Sequence, residues 1–130
     1  MTIYMIWYAA SMTTRNRPAD CCDIPIIFAP IGDDRQRELV ALFKALGDGT
    51  RLEIFRLIAS QSAPICVCDI TERFSVSQPT ISHHLKVLRE AGLIDVSRRG
   101  NWAYYAPDRH GLDLLSSLAG RMELPELAAR

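Results

Sequence analysis

Apolar positions recur every three or four residues once the chain passes Arg35. Leu39, Leu42, Phe43 and Leu46 fall on one helical stripe, Asp33 or Asp34 can cap its start, and Gly47 suits a left-handed C′ position behind its end. A second helix follows, with Thr50 as its cap and Leu52, Phe55 and Ile58 as its apolar face. A shorter third begins near Cys66 or Cys68 and runs to Phe74, with Ile70 and Phe74 one turn apart. Ser77 then caps a fourth helix, Pro79 lies in its first turn, where a missing N–H costs nothing, and Gly92 closes it behind Ala91. The expected buried stripe of that helix is Ile81, Leu85 and Leu88.

Behind Gly92 the period drops to two. Ile94 and Val96 alternate with Asp95 and Ser97, Arg98-Arg99-Gly100-Asn101 supplies a turn with a basic tip, and Trp102 and Tyr104 alternate again, which predicts a β-hairpin. A last helix starts near Asp108, read as its cap, and carries Leu112, Leu115, Leu118 and Met122 on one stripe until Pro125. Residues 13–34 hold Pro18, Pro25, Pro30 and Gly32 and keep neither period, so an extended arm is expected. The division is an arm over 1–34, a domain over 35–124 and a tail over 125–130.

The order helix, short helix, turn, helix, hairpin, helix is that of a winged helix-turn-helix, a mainly α fold with a β-hairpin wing. In such a fold the fourth helix enters the major groove of DNA. Its outward residues have the chemistry for it: Gln78 can pair with adenine, Ser77, Thr80 and Ser82 can reach base or phosphate oxygens, and His83, His84 and Lys86 add donors or charge. Arg98 and Arg99 on the wing can reach phosphates or the minor groove. A single recognition helix reads little sequence, whereas two related by a dyad read half-sites one DNA turn apart. The leucine stripe of the last helix offers apolar surface for a symmetric partner, unless it serves only to close the monomer core.

Composition refines this picture. The chain has 130 residues, 48% hydrophobic and 23% charged, enough for one small domain with a core. Its 15 Lys and Arg balance 15 Asp and Glu, which taken alone speaks against nucleic acid. From Ser77 to Tyr105, however, Lys86, Arg89, Arg98 and Arg99 face only Glu90 and Asp95, a local excess of positive charge. The apolar run Ile3 to Ala10 has no basic residue before it and is too short to span a bilayer, so a cytoplasmic protein without a membrane partner is expected. A translation start at Met12 accounts for the run equally well.

Four cysteines fall as Cys21-Cys22 and Cys66-Val67-Cys68, a poor layout for disulfides within either pair. Cys66 and Cys68 stand two residues apart and can share one ion only at a helix start. The helix dipole there would lower the thiol pKa and favour thiolate. Two thiolates select soft ions, among them As(III), Sb(III), Cd(II), Pb(II), Cu(I) and Zn(II).

Phe43-Lys44-Ala45-Leu46-Gly47-Asp48-Gly49-Thr50-Arg51-Leu52, Ile65-Cys66-Val67-Cys68-Asp69-Ile70 and Ser77 to Leu85 together resemble, in order, three motifs of the ArsR/SmtB family of metal-responsive repressors. With Leu88 to Leu93 and Trp102 to Tyr105, the resemblance covers about residues 35 to 120. It implies a homodimer that binds operator DNA, represses a resistance operon and is released when an inducer binds the thiols. Some arsenic-sensing relatives have a third cysteine three residues after the second, where this chain has Thr71. Others recruit amino-terminal cysteines, so Cys21 or Cys22 is expected to complete the site with Cys66 and Cys68. The favoured inducer is As(III) or Sb(III) on three sulfurs, with Cd(II) or Pb(II) on four second, and no organic cofactor. Asp108-Arg109-His110 resembles half of another zinc site of the family, but no second histidine follows near Arg121, and none is assigned.

Three rivals remain. A thiol redox or persulfide switch would use the same cysteines without an ion. An enzyme is not expected, because the chain has neither a Cys-x-x-Cys motif nor a phosphate loop. A structural Cys₄ zinc site is disfavoured by the spacings.

Overall fold

Asp33 and Asp34 open the first helix, α1 (Asp33–Leu46), in a computed structural model that describes residues 30–122. Their carboxylates sit in the first turn, at the positive end of the helix dipole, and the cap itself is Gly32. Leu39, Leu42 and Ala45 face the core, whereas Phe43 is 52% exposed, contrary to the expected stripe. The small Ala45 lets α1 seat on the row spaced by three, and that rotation leaves Phe43 on the flank. Gly47 ends the helix at φ −73°, not in the expected left-handed region.

The second helix, α2 (Gly49–Ala59), is capped by Asp48 rather than Thr50, the Asp48 carboxylate accepting from the Arg51 backbone N–H. Ile54, Phe55 and Ile58 point inward, and Leu52, expected there, is exposed. A two-residue strand, β1 (Ile65–Cys66), leads straight into α3 (Val67–Glu72), which stops short of Phe74. The third helix therefore begins with Cys66 as its cap residue.

Ser77 caps α4 (Gln78–Glu90), and Ile81, Leu85 and Leu88 form its buried stripe, as the pattern predicts. Gly92 adopts φ 78° and turns the chain into β2 (Ile94–Arg99), which pairs antiparallel with β3 (Trp102–Pro107). Arg99 opposes Trp102, so Gly100-Asn101 is the two-residue turn, with Gly100 at φ 62°. The strand β1 adds to the far edge of β3, giving the order β1-β3-β2, with Ile65 opposite Tyr105 and Cys66 opposite Tyr104.

The last helix, α5 (Arg109–Ala119), has Asp108 as its cap, accepting from the His110 N–H. Gly111 and Leu114 face inward, with Leu115 and Leu118 partly buried against the core. Leu112 and Met122, expected on the same stripe, are exposed, and the helix ends at Ala119 rather than near Pro125. A Cβ at Gly111 would stand 2.2 Å from the Gly92 carbonyl oxygen, so only glycine lets α5 cross the turn at this separation. His110 Nε2 meets Glu38 Oε2 at 3.0 Å, and Arg35 donates to Ser117 Oγ, tying α1 to α5.

Leu42, Ile54, Ile58, Ile70, Ile81, Leu85, Leu88, Leu93 and Ile94 form the fully buried centre. Every helix except α5 contributes to it, as do Leu93 and Ile94 at the start of β2, with Tyr105 of β3 and Leu114 of α5 packed on its edge, so the helix-turn-helix is held by one continuous core. Among the described residues no helix is long and apolar enough to cross a membrane. Met12, Cys21, Cys22 and the tail 125–130 lie outside the described residues.

Candidate functional site

The amino-terminal end of α4 and the tip of the hairpin carry the residues expected at DNA. Ser77 Oγ accepts from the Thr80 N–H at 3.4 Å and shares a 2.9 Å hydrogen bond with Thr80 Oγ1. These two hydroxyls therefore fix the start of the helix before they meet any ligand. Gln78, Thr80, Ser82, His83 and Lys86 are exposed, and Lys86 lies 3.9 Å from Glu90, a loose pair one turn along. His84 differs from its neighbours: it is only partly exposed, and its buried Nδ1 has no hydrogen-bond partner among the described residues.

Arg98 and Arg99 are exposed near the wing tip but are not equivalent. The Arg99 guanidinium lies 4.9 Å from the centroid of the Tyr104 ring, a cation–π contact that orients it. Trp102, directly opposite Arg99, is 55% exposed. The alternating hairpin pattern contained Trp102 and Tyr104 but gave no sign that either would support a wing cation.

The second cluster is the thiol pair. Cys66 is buried, Cys68 is partly exposed, and the Cys68 thiol donates to Cys66 Sγ at 2.6 Å. The arrangement follows from the backbone: Cys66 is extended as the α3 cap residue and Cys68 lies in the first turn, so the wide angle of a regular helix does not apply. Two sulfurs thus converge on one point and fit two bonds of a thiophilic centre.

The expected lowering of thiol pKa is not what the site shows. The Cys68 thiol is pushed above its ordinary value, first by its hydrogen bond to Cys66, then by burial and by the charge on Cys66. The backbone N–H of Asp69 acts the other way and is outweighed. The proximity that would let the pair chelate one ion also makes the second ionisation harder.

Thr71 occupies the position one turn beyond Cys68, and its hydroxyl donates to the Val67 carbonyl at 2.8 Å. No group of three or more His, Cys, Asp or Glu side chains converges among the described residues. A polar cleft of about 370 Å³ beside α3 is lined by Gln61, Asp69, Glu72 and Arg73 and includes neither thiol.

A third polar arrangement lies at the α1–α2 corner. Arg51 Nε donates to the Ala45 carbonyl at 2.6 Å, and the Asp48 carboxylate is held below its ordinary value of 3.8, chiefly by the Arg51 N–H. The spacing of three between Asp48 and Arg51 was the signal for this pair, masked in the sequence by Thr50 as a rival cap.

Residues 48–96 match the family described as bacterial regulatory protein, arsR family. An uncharacterized HTH-type transcriptional regulator of Methanocaldococcus jannaschii is 40% identical over 72 residues, 55% of this chain and 80% of that protein. The arsenical resistance operon repressor of Bacillus subtilis is 49% identical over 63 residues, 48% of this chain. That match spans only 59% of the Bacillus protein's length. Among solved structures, a homodimeric winged helix-turn-helix DNA-binding domain from Mycobacterium bovis, described as a possible ArsR-family transcriptional regulator, superposes with a TM-score of 0.56 at 26% identity, covering 72% of this chain and 87% of that one.

Proposed function

This chain belongs to the arsR family of bacterial regulatory proteins, and from that premise we propose that it is a homodimeric repressor released from operator DNA when its thiols take up As(III) or Sb(III). The observation that carries the ligand assignment is the 2.6 Å approach of Cys66 and Cys68 at the start of α3, one short helix and a loop before the recognition helix α4. Ile70 of α3 is fully buried in the same core as Ile81 and Leu85 of α4, so α3 cannot shift without disturbing its partner.

Thiols react with arsenite by exchange. Each sulfur bonds to arsenic, each thiol proton leaves with a displaced hydroxide as water, and no electron changes hands. Cys66 and Cys68 supply two sulfurs, and we assign the third to Cys21 or Cys22 of the arm. Cd(II) or Pb(II) on all four sulfurs is the alternative inducer. On the DNA side, α4 presents Ser77, Gln78, Thr80, Ser82, His83, His84 and Lys86 to the major groove, and Arg98 and Arg99 reach the flanking backbone. Val40 and Phe43 on α1 and Leu112 on α5 are exposed apolar side chains suited to a second copy.

Couplings between such sites typically amount to about 1–3 kcal/mol, or 5- to 150-fold in affinity, enough to empty an operator held near its dissociation constant. The test is operator release, followed by fluorescence anisotropy, during titration with As(III), Sb(III), Cd(II), Pb(II) and Zn(II). Release by As(III) or Sb(III) at the lowest concentration is expected; no release by any of the five would end the inducer reading.

Although the spacing alone is a poor layout for a disulfide, the bend at the start of α3 brings the two sulfurs together and favours a second reading, in which a peroxide accepts two electrons and two protons from the thiols and leaves a Cys66–Cys68 disulfide. Release by peroxide in a protein indifferent to arsenite would select it.

A further inference from the structure

Among the described residues Cys66 is the one buried apolar side chain that stands apart from the helical core. The sheet register explains why. Ile65 opposes Tyr105, and both pack against the core. The adjacent row, Cys66 opposite Tyr104 and Tyr104 opposite Ser97, consequently points to the other face of the sheet. Directly opposed residues in an antiparallel pair bring their Cβ atoms to about 4.5–5.5 Å. Two residues nearer the turn on the same face, Arg99 opposes Trp102, and the Arg99 guanidinium lies 4.9 Å from the Tyr104 ring centroid. Sulfur, phenol ring, guanidinium and indole therefore follow one another along a single face, from the thiol pair to the wing tip.

We propose that this row carries the inducer signal to the wing, with Tyr104 as the positioning residue that holds Arg99 in its DNA-binding orientation. Cys66 is only 7% exposed, so an ion bonded to its sulfur takes its volume from the neighbours, and across the strand that neighbour is Tyr104. A surface cation–π contact is weak enough to be broken when the ring turns. The route is distinct from the one through α3: it runs across the β1–β3 pairing and acts on the wing, while α3 acts on the recognition helix. The proposal rests on the inducer reading above, and its test separates the two.

The full chain contains two tryptophans, so Trp7→Phe leaves Trp102 as a reporter beside Arg99. In that background, Tyr104→Phe, Tyr104→Leu and Arg99→Gln are compared for Trp102 emission on adding arsenite without DNA, for arsenite stoichiometry by mass spectrometry, and for the ratio of operator affinities without and with arsenite. Arsenite is expected to shift Trp102 emission in the parent and in Tyr104→Phe, which keeps the ring. The shift should vanish in Tyr104→Leu and Arg99→Gln at unchanged stoichiometry, and their affinity ratio should fall by about fivefold or more, the lower end of usual couplings. Arg99→Gln will itself bind operator more weakly, and only the ratio is read. Should Tyr104→Leu fail to fold, the exposed Arg99→Gln decides alone. If the parent releases operator but its Trp102 emission does not move, or the variants keep the parent ratio, the wing route is overturned and the inducer reading stands. If arsenite neither binds the parent nor releases operator, both fall.

Discussion

Arg51 Nε donates to the carbonyl oxygen of Ala45 at 2.6 Å across the corner between α1 and α2. The bond serves two helix ends at once. It satisfies a carbonyl left open at the end of α1 and places positive charge at the negative end of that helix dipole, while the Arg51 backbone N–H donates to the cap carboxylate of α2. The side chain is only 19% exposed, so water is a poor substitute. Arg51→Ala is expected to cost about 1.5–3 kcal/mol of unfolding free energy, as hydrogen bonds involving charged groups do. Urea unfolding of the variant would show it; an unchanged midpoint would mean that the corner is held by packing alone.

Acid should probe the other half of that corner. The Asp48 carboxyl is depressed chiefly by the Arg51 N–H and further by the Arg51 guanidinium and His84, with burial opposing them. A carboxyl depressed on folding adds stability that is complete above its unfolded value and is lost as the pH falls through the folded one. Stability of the wild type should therefore drop below about pH 4 in part through Asp48. Asp48→Asn keeps a capping oxygen but does not titrate, so its stability should vary less across that window; parallel pH profiles would contradict the assignment.

At the root of the wing α5 passes the Gly92 carbonyl at Gly111 with no room for a side chain. A methyl at position 111 would meet the Gly92 carbonyl, and backbone cannot rotate away as a side chain can. Gly111→Ala should destabilise by about 1–3 kcal/mol, the usual range for overpacking. Thermal unfolding measures this, and a neutral substitution would show that α5 slides freely on the turn.

The thiol pair predicts a difference between inducers. Cys66→Ser and Cys68→Ser should each leave operator affinity unchanged and abolish release by arsenite. Because arsenite uptake sends the thiol protons into water, its affinity should be nearly flat between pH 6 and 8. Cd(II) must expel protons from the same thiols, so its affinity should rise by about tenfold per pH unit for each proton released. The raised Cys68 thiol keeps that slope in force through neutral pH. Calorimetry in buffers of different ionisation enthalpy would expose protons released by arsenite, and such protons would contradict the exchange chemistry.

Arg98 should contribute to DNA binding without contributing to sequence choice. It lies on the opposite strand face from the stacked Arg99 and is exposed near the wing tip. Arg98→Ala is expected to weaken operator and unrelated DNA alike and to reduce the salt slope of binding by about one. A loss confined to operator would make it a base reader instead.

Much of the fold was legible because its signals are local. The Ser77 cap, the Ile81, Leu85 and Leu88 stripe and the Gly100-Asn101 turn each depend on a few adjacent residues, and all three stand as read. What escaped depended on partners distant in sequence. Two residues cannot display a period, so β1 was invisible until Tyr104 and Tyr105 lay beside it. Thr50 and Asp48 are both good caps, and only the Arg51 contact across the corner selects Asp48. The thiols were found from type and spacing, but the direction of the Cys68 shift follows from a side-chain contact that spacing alone does not specify.

The shortness of β1 has a consequence for how the protein comes into being. Ile65 and Cys66 are synthesised well before β3, the strand they pair with among the described residues. Local helices form in microseconds or less, whereas pairing of distant segments waits on loop closure. On the ribosome the two sulfurs are therefore present without the cover of β3 before the hairpin has been made. Cys66 is thus more open to oxidants and thiophilic ions in the newborn chain than in the folded one, and it is closure of the hairpin that shelters it.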